Sequence, residues 1–312
     1  MIAPDPPAAP DVASLRVALI GYGEVGGIYG AALVARGVGH VCAFDIAGAA
    51  DSPRGAAIRA RAAADRVELA ATASAAVAEA SLVISAVTAS ATRAAAASTA
   101  DAMRPGAFLL DINSASPRTK VECAKRVTAA GGRYVEAAVM TSVPPYGIRV
   151  PMLLGGPDAA TLCPGLNALG FAASTSSPKL GVVSAVKMCR SVIIKGMEAL
   201  VIESLLTARR YGVEDEVLAS LEETFPNFDW EKQGTYFWHR VVQHGRRRAE
   251  EMRESAATVR ECGLEPHMAS ATADRQAWMA ALTQAEVFAG ASPHCGWREL
   301  ADRVPPDEPK AG

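Results

Sequence analysis

The stretch Leu15-Arg16-Val17-Ala18-Leu19-Ile20, followed by Gly21-Tyr22-Gly23-Glu24-Val25-Gly26, decides how this chain folds. Mostly apolar, β-prone residues run without a break into G-x-G-x-x-G, and a proline-free segment continues to Arg36. Strand, glycine turn and helix in that order predict the opening of a dinucleotide-binding βαβ unit, in which each glycine has a mechanical task. Gly21 makes the tight turn, Gly23 lets the backbone approach a pyrophosphate, and Gly26 lets helix and strand pack closely. Tyr22, Glu24 and Val25 complete the cradle. The diphosphate would rest on the helix N-terminus, where unpaired N–H groups and the helix dipole favour an anion. An ordinary glycine-rich turn would share these residues, but it has no reason to share the next feature.

That feature is Asp45, 19 residues beyond Gly26 at the end of the apolar run Val41 to Phe44. A carboxylate at this distance accepts hydrogen bonds from the adenosine ribose and opposes a 2′-phosphate. NAD is therefore expected, with NADP possible if Arg54 supplies a compensating charge. A loop or helix-capping role for Asp45 is the plain alternative.

Outward from this unit, short apolar runs alternate with Ala-rich helical stretches: Leu82 to Val87, Phe108 to Leu110 and Tyr134 to Val139, with Ala56 to Ala64 and Ala94 to Ala102 between them. This rhythm predicts a doubly wound, mostly parallel α/β sheet. Val87 and Thr88, closing the run from Leu82, are expected beside the cofactor, because ligands bind outside the carboxyl ends of such strands. After Ser177 the rhythm stops. A long proline-free segment from Val186 to Tyr211 leads into sequence that reads as helical throughout. Gln243 to Glu261 reads as a surface helix, its Arg246-Arg247-Arg248 run as a solvated face, and Phe225 to Trp230 and Phe237-Trp238 as packing. The expected organisation is an arm over 1–14, a Rossmann domain over 15–178, an all-α domain over 179–304 and a tail over 305–312.

Composition narrows the function classes. In 312 residues, half hydrophobic and 21% charged, there is ample material for two cores. A formal net charge of -2 gives no field to draw nucleic acid or an anionic membrane. No apolar run is long enough to span a bilayer, and Met1 to Ser14 has four prolines and no basic residue, unlike a secretory signal. The six cysteines form no CxxC pair and no zinc pattern, so they read as reduced, mostly buried thiols of a cytoplasmic protein without a metal site.

Four motifs in order resemble the β-hydroxyacid dehydrogenases, which include 3-hydroxyisobutyrate and 6-phosphogluconate dehydrogenase-like enzymes. They are the Gly21 to Gly26 fingerprint, Asp111-Ile112-Asn113-Ser114-Ala115-Ser116-Pro117, the segment Glu136 to Ser142, and Lys187 on the long helix. The second is similar to the family's D-x-S-T-x-S-P, with Asn113 and Ser114 in place of Ser-Thr and facing nicotinamide and substrate. The family's Ser-Gly-Gly run, which holds a substrate carboxylate, is here Met140-Thr141-Ser142. Met140 removes a hydroxyl and adds an apolar wall, while Thr141 and Ser142 can still donate, so a substrate other than 3-hydroxyisobutyrate is implied. The fourth resembles K-x-x-x-N, written here as Lys187-Met188-Cys189-Arg190-Ser191.

The resemblance implies that Lys187 is the general acid/base, its pKa lowered by burial in a closing cleft. Arg190 and Ser191 share its helix face and contact substrate. A small hydroxy-acid-like substrate and a divergent C-terminal domain follow from the same likeness; a homodimer or larger homo-oligomer is expected, with the helical half supplying most of the contact. Two other functions fit the residues: an imine or ketone reductase on the same scaffold, and a regulator that senses NAD without turnover. His239 and His244 are the alternative proton carriers.

Overall fold

The computed structural model describes residues 12–306. The arm and tail expected at 1–11 and 307–312 lie outside the described residues. Val12–Ser14 belong to no arm: they form a single 3-10 turn, and the Val12 carbonyl accepts from the N–H groups of Leu15 and Gly39.

From there the chain alternates as its hydrophobic runs predict. The elements are β1 (Arg16–Ile20), α1 (Glu24–Ala35), β2 (His40–Phe44), α2 (Pro53–Asp65), β3 (Glu68–Leu69), α3 (Ala73–Val77), β4 (Leu82–Ser85), α4 (Thr92–Ala100), β5 (Phe108–Asp111), α5 (Pro117–Ala129) and β6 (Arg133–Val139). Then come β7 (Pro151–Gly155), α6 (Ala159–Ala168) and β8 (Ala172–Ser177). The helices start where the sequence supplies a cap. Ser52 and Ser116 each accept from a backbone N–H three residues on, and each precedes a proline whose missing N–H costs nothing in the first turn.

The strands form one sheet in the order β3-β2-β1-β4-β5-β6-β7-β8. The first six run parallel; β7 is antiparallel to β6, and β8 is parallel to β7. Parallel strands buried on both faces need apolar residues at nearly every position, and Leu82–Ser85 is buried throughout. One face packs Tyr29, Leu33, Ile58, Leu162 and Leu166, with Tyr29 edge-on to Phe171 at 5.2 Å between ring centroids. The opposite face packs Ala73, Val77, Ala96, Cys123 and Val127. This is a doubly wound Rossmann layer. The strand order reverses between β1 and β4, which places a crevice above their carboxyl ends.

The remainder is all helical: α7 (Val182–Tyr211), α8 (Glu214–Thr224), α9 (Trp230–Glu261), α10 (His267–Gln284) and α11 (Trp297–Arg303). The chain divides into two compact units inside α7, between Met188 and Cys189. In the second unit Ile202, Leu205, Trp238, Val241, Met279, Trp297 and Leu300 form the main core.

Gln243 to Glu261 is the second half of α9 and has the two faces of a surface helix: Gln243, Arg246, Arg247, Arg253 and Arg260 are exposed, while Gly245, Arg248, Ala249, Met252, Ser255 and Ala256 line a buried stripe, with Gly245 against the backbone of Gln276 on α10. One sequence reading needs correction here: the arginine run is not a uniformly solvated face. The Arg246 side chain is 90% exposed, but that of Arg248 is only 4% exposed and forms a buried pair with Glu198. The cysteines are all free, as expected, but only Cys42, Cys123 and Cys295 are buried. No helix among the described residues is long and apolar enough to cross a membrane.

Candidate functional site

The loop after β1 has three glycines with different reasons to be glycine. Gly21 has φ +94, and a Cβ there would fall 2.5 Å from the Ala86 carbonyl oxygen beyond β4. A Cβ on Gly26 would fall 2.0 Å from the Gly21 carbonyl oxygen. Those two are explained by the protein's own packing. Gly23 is not: a Cβ there would meet nothing within 4 Å. It N-caps α1 without a side chain to occupy the helix's first N–H groups. An open glycine backbone at a helix N-terminus fits the approach of a diphosphate.

The residues between the glycines take separate parts. The Tyr22 side chain is fully buried and its hydroxyl donates to Asp65 at 2.8 Å; burial first, and then Asp65, push that phenol above its usual range. Its contribution to the cradle is therefore backbone alone. Glu24 is exposed and Val25 half-buried. Asp45, half-buried at the end of β2, accepts from the Tyr22 N–H through Oδ2 and from the Ala47 N–H through Oδ1, both at 2.8 Å. It holds the glycine loop to β2, and each oxygen keeps a lone pair for a ribose hydroxyl. Sequence reasoning missed Arg61 of α2, which donates to the Gly23 carbonyl at 2.9 Å. Arg54 is exposed.

The loops after β4 and β5 are joined to each other. Asn113 is buried; its Oδ1 accepts from the Val87 N–H at 2.8 Å, and its Nδ2 donates to Ser85 Oγ at 2.9 Å. Each of these bonds uses half of that atom's capacity, which leaves a second Oδ1 lone pair and a second Nδ2 hydrogen for the nicotinamide side expected from the sequence. Beneath it, the Asp111 carboxylate accepts from the Asn113 N–H at 2.9 Å, Lys120 Nζ at 2.7 Å and the Tyr134 hydroxyl at 2.5 Å. Burial, reinforced by Asp111, drives the Tyr134 phenol well above its ordinary range. Lys120 and Tyr134 carried no local signal, because their partner lies across a strand boundary. Ser114 and Val87 are half-buried and Thr88 is exposed.

Beyond β6, Met140 continues the ladder by donating to the Pro151 carbonyl at 3.1 Å. Thr141 is exposed and Ser142 half-buried. Within β6, Glu136 is fully buried, and its carboxylate closes on the first turn of α7. Oε1 accepts from the N–H groups of Gly181 at 2.7 Å and Val183 at 3.3 Å, and Oε2 accepts from the Ser184 hydroxyl. Lys187 is half-buried and lies one turn further along the same helix, rather than at its start. Arg190 is exposed and Ser191 buried. Helix geometry sets Lys187 and Ser191 on one face.

In the second unit, His239 Nε2 lies 2.8 Å from the Cys295 carbonyl oxygen. That contact makes Nε2 a donor and removes it as a base. Among the described residues, no group of three or more His, Cys, Asp or Glu is placed to hold a metal ion.

Comparison with known proteins matches residues 16–159 to the NAD-binding domain of 6-phosphogluconate dehydrogenase and residues 208–279 to a domain of unknown function, DUF1932. A conserved hypothetical protein from Sinorhizobium meliloti is 37% identical, with a TM-score of 0.71 over 94% of this chain and 98% of that one. A conserved protein of unknown function, described as structurally similar to 3-hydroxyacid dehydrogenases, is 30% identical, with a TM-score of 0.64 over 86% of this chain and 99% of that one. The 3-hydroxyisobutyrate dehydrogenase of Mycobacterium tuberculosis shares the fold at 19% identity, with a TM-score of 0.66 over 85% of this chain and 93% of that one. An uncharacterised 28.5 kDa protein of Methanothermus fervidus is 30% identical over 166 residues, 52% of this chain; the match spans 62% of that relative's length.

Proposed function

Since this chain belongs to the β-hydroxyacid dehydrogenase family, in a branch with a divergent C-terminal domain, we propose that it transfers hydride between NAD and a small hydroxy-acid-like substrate. What supports this reading is the placement of four loops at one end of one sheet. The Gly21 to Gly26 loop, Val87-Thr88, Asn113-Ser114 and Met140 to Ser142 all follow the carboxyl ends of parallel strands, and Glu136 fastens α7 to the strand that feeds the last of them.

A bound nicotinamide would supply the hydride acceptor. Gly23 and the first N–H groups of α1 would hold its diphosphate, and Asp45 would take the adenosine ribose. Ser114, Thr141 and Ser142 would donate to the substrate's oxygens, and Arg190 and Ser191, which follow Lys187 in sequence on α7, are the further substrate candidates. Lys187, as the neutral amine, would accept the hydroxyl proton at Nζ while the carbinol C–H is given up as hydride, leaving a carbonyl product and an ammonium group. Reduction reverses each transfer.

The test is Lys187→Met, assayed with NAD and a panel of 3-hydroxy acids that includes L-serine and 3-hydroxyisobutyrate. NADH affinity, read by its fluorescence, is expected to stay within about twofold, while turnover falls by about two to four orders of magnitude, the scale of a general acid/base group. A loss of only a few-fold would return Lys187 to a structural ion pair. Binding of NADH without turnover of any hydroxy acid, ketone or imine would favour the sensing role instead.

A further inference from the structure

Glu136 is a fully buried carboxylate that no step of the proposed reaction uses. It stands in the middle of β6, between two strands, where an ionised side chain is costly unless every lone pair finds a donor. The donors come from one place, the first turn of α7. Gly181 and Val183 supply backbone N–H groups and Ser184 supplies a hydroxyl. A helix N-terminus ordinarily takes its cap from its own chain a residue or two earlier. Here the residue at that position is Gly181, with φ +89 and no side chain, and the cap arrives from a strand 45 residues away in sequence.

The surroundings are shaped around this contact. A Cβ on Gly155 of β7 would come within 2.7 Å of Glu136 Oε1 and 2.8 Å of the Val183 side chain, so Gly155 leaves room for the carboxylate and the helix together. Val183 itself is fully buried.

The consequence falls on Lys187. A long side chain on a helix leans toward the N-terminus and covers the turn before its own Cα. For Lys187 that turn is Val183-Ser184, the one Glu136 grips. The same strand runs on directly to Met140, Thr141 and Ser142. One carboxylate therefore ties the helix that carries the proton-transfer lysine to the strand that delivers the substrate loop. We infer that Glu136 is the positioning residue of this site, setting the axial position and rotation of α7 so that Lys187 stands in register with Met140 to Ser142. This rests on the reading of Lys187 as general acid/base.

The experiment compares Glu136→Gln, Glu136→Leu, Ser184→Ala and Gly155→Ala. Three readouts are taken: NADH affinity, turnover on the hydroxy-acid panel, and the rate at which Lys187 alone is acetylated by acetic anhydride, followed by peptide mass spectrometry. Glutamine keeps an acceptor oxygen for the Gly181 N–H and leucine keeps none, so the conservative variant is the rescue. Expected are NADH affinities within about twofold throughout, turnover reduced about tenfold or more in Glu136→Leu and Gly155→Ala but only a few-fold in Glu136→Gln, and altered Lys187 acetylation in the same order.

If Glu136→Leu does not fold, Ser184→Ala and Gly155→Ala decide, since the first removes one hydroxyl and the second one cradle. Wild-type acetylation of Lys187 in both of those variants would overturn the proposal, as would equal losses in Glu136→Gln and Glu136→Leu. Lys187→Met separates the two layers. If it retains turnover the general acid/base reading fails, while the acetylation rates still report whether Glu136 sets the position of Lys187.

Discussion

At the scale of single residues, Asp45 carries two loads. It holds the glycine loop through the Tyr22 N–H, and it presents a negative charge where the adenosine 2′-position is expected. Removing the side chain loosens the loop as well as the charge, so the cleaner variant is Asp45→Asn, which keeps one acceptor oxygen and the shape. Asp45→Asn is expected to weaken NADH modestly, strengthen NADPH, and lower the NADH:NADPH preference by about tenfold or more, equivalent to about 1.4 kcal/mol. Titration of both reduced cofactors by fluorescence checks this, and an unchanged ratio would pass discrimination to Arg54 or Arg61. Residues of this kind were legible because a glycine or an acid at a fixed offset from a strand has one mechanical use. Lys120, Tyr134 and Glu136 were not. Each is a buried polar group whose meaning lies in a partner on another element, and no local pattern announces that partner.

At the scale of elements, the strands that read clearly were the apolar ones buried on both faces. The three that escaped have physical excuses. β3 is two residues long, β7 opens on a proline behind the Pro144-Pro145 turn, and β8 is Ala-Ala-Ser-Thr-Ser-Ser at the sheet edge, where only Ala173 is buried. The helices after Ser177 were evident as helices, yet Arg248 was read as solvated with its neighbours, because a charged residue in a buried stripe looks like a surface residue until its partner is seen. Glu198 on α7 accepts from Arg248 Nε at 2.9 Å and from its Nη2, with both side chains almost wholly buried.

Breaking such a pair leaves an uncompensated ion, so Glu198→Gln is expected to cost about 3–5 kcal/mol. Replacing both members by methionine should recover much of that loss. All four tryptophans lie at or beyond residue 230, so urea unfolding followed by intrinsic fluorescence reads the second unit directly. A double variant no more stable than Glu198→Gln would mean that the pair stabilises the unit outright. Lys195, beside the same cluster, has its pKa lowered chiefly by burial, against the opposing pull of Glu251. Its folded state therefore binds a proton less readily than its unfolded state. The resulting penalty is present in full below the folded pKa and disappears as pH rises through the unfolded one.

At the scale of the whole molecule, the sequence divides into an α/β half and a helical half, and the family relation explains why the two travel together. What composition could not locate was the division itself, since it falls inside α7, where the helix runs on unbroken from one compact unit into the next. That helix also leaves an apolar stripe uncovered. Val186, Ile193 and Leu200 recur every seven residues and are 44%, 66% and 56% exposed, with Ile194 beside them at 38%. Residues seven apart fall almost on one line along a helix, and an apolar line of this length in water is unfavourable unless another surface covers it. We propose a second copy of the same helix as a self-complementary cover, in keeping with the two-fold symmetry most homo-oligomers adopt. Light scattering at micromolar concentration is therefore expected to give a mass of at least twice the 32.4 kDa of one chain. Ile193→Asp combined with Leu200→Asp should reduce it to one chain without loss of helical circular dichroism, because both positions are exposed in the isolated chain. A wild-type protein that scatters as a single chain would refute the dimer. An oligomer that survives both aspartates would place its contact on another face of the helical half.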